Sequence, residues 1–200
     1  MKTRILSIIA LAITALSFTS PAKAATVNSA NYTILTDVSH INKIEIYGNV
    51  ELYVSDGPID QVKVYDNYYS ESALVQGKNG VLRISSYKDT KLVVWVTAAD
   101  LRSISAYDNS VVRSFGNLSK IEFDVDLHNN AAAKLNLDAF SANVTLTGHA
   151  KADLSGTANE LNLNHDMASS VNNYDFTAAH LTDNRVVVPA DTKNSDLVTI

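Results

Sequence analysis

The chain has 200 residues, 16 basic and 21 acidic side chains, and no cysteine. Its net charge of −5 disfavours nucleic acid and anionic membrane surfaces as partners. The missing thiols exclude disulfide stapling, thiolate metal sites and lipid attachment to cysteine.

Residues 1–24 read as a secretory signal. Lys2 and Arg4 make the positive start, residues 5–18 form an apolar core, and Pro21 breaks it. Ala22, Lys23 and Ala24 supply the small-x-small cleavage pattern. The core is shorter than the roughly 20 apolar residues that a membrane span needs. Cleavage after Ala24 removes three basic residues and makes the remainder more acidic still. No later segment is long and apolar enough to be a transmembrane helix. The expected location is therefore outside the cytoplasm of a bacterium, in the periplasm or at the cell surface.

Residues 25–37 are a lead segment. Residues 44–54 (IEIYGNVELYV) then alternate apolar and polar side chains around Gly48 and Asn49, which is the period-two pattern of strands with one buried face. Residues 61–65, 81–85 and 91–96 read as three further strands, with a turn in residues 77–80. They are expected to form an antiparallel β cap.

From Leu101 onward the chain repeats itself. Residues 104–112 (ISAYDNSVV), 125–133 (VDLHNNAAA), 144–152 (VTLTGHAKA) and 163–171 (LNHDMASSV) each place a polar turn between two alternating runs. A repeat of about 20 residues predicts stacked units sharing one core. Its inward set is Ile104, Ala106, Val125, Leu127, Val144, Leu146 and Leu163, with Val112, Ala133, Leu135, Ala152, Leu154 and Val171 from the second arms. His165 falls awkwardly on an inward position, so either the register slips there or the core opens. Residues 185–188 read as a last edge strand that Pro189 stops, and residues 189–200 as a polar tail. An antiparallel β-sandwich is the competing architecture.

The run 44–54 with Ser55, Asp56 and Gly57, the strands at 81–84 and 93–97, and residues 101–104 together resemble the head GIN domain family. The resemblance spans about residues 38–188, read as a single GIN-like domain. It implies an all-β fold, a right-handed β-solenoid-like stack with an antiparallel cap, in an exported adhesin-type protein without established enzyme activity.

The chemistry-bearing residues form no catalytic motif. His128 and His149 fall in neighbouring turns and His40, His165 and His180 elsewhere, without the convergent third ligand a zinc site requires. Asp124, Asp126, Asp138 and Asp153 are scattered carboxylates, and a working acid/base pair needs fixed spacing. Asn109, Asn129 and Asn130 suit a structural amide ladder. Tyrosines crowd the first half of the chain, and exposed Tyr suits sugar or protein recognition. Tyr65, Tyr68, Tyr69 and Tyr87 are the expected ligand-binding residues. The function expected is a non-catalytic binding or adhesion module of the cell envelope that engages a glycan or a cell-surface protein, with no cofactor. The alternatives are a divergent carbohydrate-active enzyme on a solenoid face, or a purely structural envelope domain.

Overall fold

The computed structural model describes residues 32–35, 38, 40–65 and 73–186. The signal segment, Tyr68, Tyr69, Val187, Val188, Pro189 and the C-terminal tail lie outside the described residues. The elements in chain order are β1 (Tyr32–Leu35), β2 (Lys43–Gly48), β3 (Val50–Asp56), β4 (Gln61–Tyr65), β5 (Ala73–Lys78), β6 (Val81–Ser86) and β7 (Leu92–Ala98). They continue as β8 (Ser103–Ala106), β9 (Val111–Ser114), β10 (Leu118–Leu127), β11 (Ala132–Leu146), β12 (Lys151–Asp166) and β13 (Ser170–Val186). The described residues contain no helix.

All of these strands join one open, curled, mixed sheet. Its longest path runs β1-β4-β7-β3-β9-β11-β10-β8-β2-β6-β5, and β12 and β13 extend from β11. Ile104 lies opposite Val125, Val125 opposite Val144, and Val144 opposite Leu163, all in parallel ladders. The pieces that repeat in the sequence are thus direct neighbours in the sheet. Leu135 pairs with Leu154, so the second arms keep the same register.

The antiparallel cap expected from the sequence does not form as one unit. Leu82 and Ile84 of β6 sit parallel to Ile44 and Ile46 of β2. Leu92, Val94 and Val96 of β7 sit parallel to Val50, Leu52 and Val54 of β3. Antiparallel pairing is confined to two separate edges, β1–β4–β7 on one and β5–β6 on the other. The reason is that β6 and β7 carry the same inward alternation as β2 and β3 and so prolong the same core. Period two reports which face is buried and says nothing about strand direction. The turn is narrower than expected, because Gly77 and Lys78 belong to β5 and Asn79 and Gly80 alone make the reversal.

The predicted inward residues are buried from Ile104 to Leu163, while Val171 is partly buried. Each Val, Leu or Ile side chain removed from water contributes roughly 1.5–3 kcal/mol, and each Ala less. In β11 the buried positions are Ala133, Leu135, Leu137 and Ala139, then Ala142, Val144 and Leu146. The step from Ala139 to Ala142 breaks the alternation at Phe140 and Ser141, where the strand rounds a corner. This break lets one strand serve two arms, which explains strands of 15, 16 and 17 residues in β11, β12 and β13. His165 is 5 % exposed and pairs with Leu146 in a ladder free of register shifts, while the β12–β13 ladder shifts earlier, between Asp153 and Ser155, and then runs on to pair His165 with Arg185. The core therefore opens there without a slip. His165 Nε2 meets Asp183 Oδ1 at 3.0 Å, which satisfies the imidazole where the row passes from apolar Leu146 to exposed Arg185.

A second corner is set by backbone conformation. Gly48, Asp108, Asn129 and Gly148 stand two residues beyond Ile46, Ala106, Leu127 and Leu146, which are ladder neighbours in turn. Their φ angles are 79°, 60°, 62° and 74°. Gly, Asn and Asp are the residues that adopt this left-handed region most readily, so the corner selects its own sequence.

Candidate recognition surface

Outward side chains on a parallel, in-register ladder form columns at the strand spacing of about 4.8 Å. Flat rings in one column must therefore stack. Tyr47 and Tyr107 do so at 4.7 Å and 5°, and Tyr107 and His128 at 4.6 Å and 4°. The column ends where His128 Nδ1 meets Thr147 Oγ1 at 2.9 Å. A second column pairs Tyr53 with Trp95 at 4.7 Å and 17°. Phe115 tilts against Trp95 at 5.2 Å and 56°.

Charged groups brace these rings. Tyr47 donates its hydroxyl to Glu45 at 3.4 Å, and Glu45 also receives Arg83 Nε at 2.8 Å and Lys43 Nζ at 3.0 Å. Partial burial pushes the Glu45 carboxyl pKa up, but Arg83 and Lys43 outweigh it and hold the group below its ordinary value. Tyr53 donates to Glu51 Oε1 at 3.0 Å, and Arg113 Nε reaches the same oxygen at 2.9 Å. Partial burial and the neighbouring carboxylates raise the pKa of Tyr47 and Tyr53. Both phenols remain neutral hydrogen-bond donors at physiological pH.

Two of the four tyrosines expected to bind ligand are described. Tyr65 ends β4 and tilts against Tyr32 at 6.0 Å. Tyr87 follows β6, is 72 % exposed, and lines a depression of about 400 Å³ with Asn49, Lys88, Asp89 and Asp108. No ring contact joins Tyr65 to Tyr87 among the described residues. Tyr68 and Tyr69 lie outside them.

Three of the four carboxylates considered for catalysis, Asp124, Asp138 and Asp153, are tied to a neighbouring strand. Asp124 accepts from Asn143 Nδ2 at 2.8 Å, and Asp138 from Thr157 Oγ1 at 3.2 Å. Asp153 meets Lys134 Nζ at 3.3 Å and accepts from Asn172 Nδ2 at 2.9 Å. His128 is engaged in its ring stack, while His149 is exposed in the turn after β11. No group of three or more His, Asp or Glu side chains able to hold a metal occurs among the described residues. The expected amide ladder is present, with Asn130 Nδ2 donating to Asn109 Oδ1 at 3.2 Å and Asn129 Nδ2 to Asp108 Oδ1 at 3.2 Å.

The sequence reading missed the cluster of Tyr53, Trp95 and Phe115. The signal that would have found it is the register itself, since Tyr53 and Trp95 occupy matching places in 50–56 and 92–98. Phe115 sits beside Gly116 in a non-alternating turn, where no periodicity marks it.

Comparison with known proteins agrees with this architecture. The sequence profile of the family described as "Putative auto-transporter adhesin, head GIN domain" matches residues 40–185. A solved "putative adhesin" from Bacteroides fragilis NCTC 9343 is similar at 19 % identity and a TM-score of 0.64, covering 80 % of this chain and 78 % of its own. A second "putative adhesin", from Parabacteroides distasonis ATCC 8503, shares 15 % identity at a TM-score of 0.59, with 78 % and 79 % coverage. A "putative lipid binding protein" from the same organism shares 10 % identity at 0.60, with 78 % of each chain covered. At these identities the likeness shows the fold alone. Among curated proteins no relative was found.

Proposed function

The chain belongs to the head GIN domain family, and from that premise we propose that it is an exported, non-catalytic adhesion-type module of the bacterial cell envelope. Residues 1–24 act as the export signal, and residues 38–188 act as one domain. Its scaffold is a right-handed solenoid of roughly 20-residue coils, a reading supported by the parallel register that joins consecutive repeats.

The observation that carries this reading is where the aromatic rings lie. Among the buried hydrophobic residues described, Phe123 is the one aromatic, and the rest are aliphatic. Tyr47, Tyr53, Tyr87, Trp95, Tyr107 and Phe115 all face outward. A core built of Ile, Val, Leu and Ala does not need them. Rings at a rigid surface, with a hydroxyl or indole N–H at the rim, are the side chains that recognition surfaces favour. Tyr65, Tyr68, Tyr69 and Tyr87 are proposed as ligand contacts, with a cell-surface glycan or protein as partner.

The test is binding of the purified, fluorescently labelled protein to intact bacterial and host cells, beside a variant with all four tyrosines changed to alanine. Saturable binding reduced at least tenfold in a folded variant supports the reading and its site. Equal binding by the variant removes the tyrosines. No saturable binding by the folded native protein overturns the adhesion function.

A further inference from the structure

We infer that a groove on the outer face of β3, β9 and β11 binds an uncharged saccharide. It goes beyond the adhesion reading by adding a separate contact site, which neither Tyr65 nor Tyr87 lines, and it rests on that reading. The groove holds about 340 Å³ and is lined by Tyr53, Phe115, Arg113, Lys134, Asn136 and Ser155. That volume lies at the lower end of the roughly 300–1,000 Å³ of small-ligand sites and suits one or two sugar rings.

One wall of the groove is aromatic and fixed. Tyr53 is held by its stack on Trp95 and by its hydrogen bond to Glu51. Phe115 is anchored through its backbone, whose N–H donates to Val54 O at 2.7 Å. Its ring packs against Trp95 on one side and is still 63 % exposed. The turn at Phe115 and Gly116 therefore lifts an apolar ring to the lip of the groove. The C–H face of a pyranose is the complement of such a ring, because it covers the ring while leaving the sugar hydroxyls at the edge.

The other wall supplies groups for those hydroxyls. The Asn136 carboxamide makes no side-chain hydrogen bond to another described residue, so both its donors and its acceptor are available. Ser155 donates weakly to Leu135 O at 3.4 Å. The guanidinium of Arg113 spends Nε on Glu51 and retains its terminal N–H groups.

Charge selects against an acidic ligand. Arg113 is paired with Glu51, and Lys134 with Asp153. The two cations of the groove are thus matched by two anions, on a chain whose net charge is −5. An anionic polymer would be repelled at long range and would have to break existing pairs. A neutral sugar uses the same groups as hydrogen-bond partners without displacing them.

The experiment is an array of neutral oligosaccharides of hexose, deoxyhexose and N-acetylhexosamine units, read with the full chain, Phe115→Ala, Phe115→Trp, Asn136→Ala and Phe140→Ala. Phe140 is 59 % exposed at the corner of β11 and lies outside the groove, so it controls for general loss of apolar surface. The expected result is binding to at least one saccharide, lowered tenfold or more by Phe115→Ala and by Asn136→Ala. Phe115→Trp and Phe140→Ala should bind as the native chain does. Equal binding by folded Phe115→Ala and Asn136→Ala proteins places the sugar elsewhere and overturns the inference. Absence of binding to every saccharide also overturns it. In that case retained cell binding would leave the adhesion function standing with a protein partner, whereas loss of both would remove the two readings together.

Discussion

Asp108 accepts, through Oδ2, a hydrogen bond from the backbone N–H of Gly48 at 3.0 Å, across 60 residues of sequence. Its other oxygen accepts from Asn129 Nδ2 at 3.2 Å. One carboxylate therefore ties together three consecutive levels of the left-handed corner, and it does so from a residue that itself has φ of 60°. Asp is used at this position because it tolerates the backbone and supplies the acceptor at once.

Gly48 is the member of that corner least able to change. A Cβ there would stand within contact of the Ser86 carbonyl oxygen, and φ is +79°. Gly48→Ala is expected to lose at least about 2 kcal/mol of stability, from the left-handed penalty together with a backbone clash. Asn129→Gly keeps the conformation and should cost less than about 1 kcal/mol. Urea denaturation of both proteins checks the contrast, and equal midpoints would refute the assignment of strain to Gly48.

A ladder of amides runs along the outer face of β10 to β12. Asn143 Nδ2 donates to Asp124 Oδ1 at 2.8 Å, and Asn162 Nδ2 donates to Asn143 Oδ1 at 2.9 Å. Asn143 is half-buried and serves both sides. Asn143→Ala should therefore cost about 2 kcal/mol, on roughly 1 kcal/mol for each hydrogen bond lost. Asn130→Ala breaks one exposed bond of 3.2 Å to Asn109 and should cost about 0.5 kcal/mol or less. Chemical denaturation that ranks the two variants in the opposite order would show that exposure does not set the strength of the ladder.

The side chain of Lys120 is largely covered and ends on a carboxylate. It is 7 % exposed, and Nζ meets Asp56 Oδ1 at 2.5 Å, while Asp56 Oδ2 accepts the backbone N–H of Ser119 at 2.7 Å. Removing the cation leaves a carboxylate facing an apolar replacement. Lys120→Met is expected to cost about 2 kcal/mol, less than the roughly 3–5 kcal/mol of a fully buried pair, because Asp56 keeps contact with solvent. The double variant Lys120→Met/Asp56→Asn should recover part of that loss. A double-mutant cycle with no coupling between the two positions would show that the pair contributes nothing beyond packing.

How far the sequence reached follows from what each pattern encodes. Alternation at Ile104, Val125, Val144 and Leu163 identified the buried face because period two is a local property of a strand. The left-handed corner was visible as turn chemistry at Gly48, Asp108, Asn129 and Gly148, since few residues tolerate it. Strand direction was not visible, so β6 and β7 were read as a cap when they prolong the ladders of β2 and β3. The corner at Phe140 and Ser141 was missed because it consists of a skipped beat in the alternation, without Gly or Pro to mark it. The aromatic cluster was missed because Tyr53, Trp95 and Phe115 meet only through register, which is a long-range property. His165 was read correctly as inward, but its partner Asp183 lies on the next strand and shares no local signal with it.

Asp166 gives the fold a response to acid. Its Oδ2 accepts the backbone N–H of Gly148 at 2.6 Å, and Oδ1 accepts those of Ala168 at 3.1 Å and Ser169 at 2.9 Å. The Gly148 bond is the largest influence, burial opposes it, and the bonds from Ser169 and Ala168 add to it, so the folded pKa lies below the ordinary aspartate value. A carboxyl that is more acidic when folded binds fewer protons folded than unfolded in the acid range. Its contribution is present in full above the unfolded value near pH 4 and is lost as the pH falls through the lower folded value. Asp166→Asn removes the titration and the charge while keeping one acceptor oxygen. The native chain should therefore exceed the variant in stability most at pH 6–7, with the gap closing as pH falls below about 4. Urea denaturation of both proteins at pH 7 and pH 3 measures that gap. Glu45, whose pKa is also lowered, is common to both proteins and cancels from the difference. A gap of the same size at the two pH values would mean that the three backbone bonds act through geometry alone and that Asp166 does not sense protons.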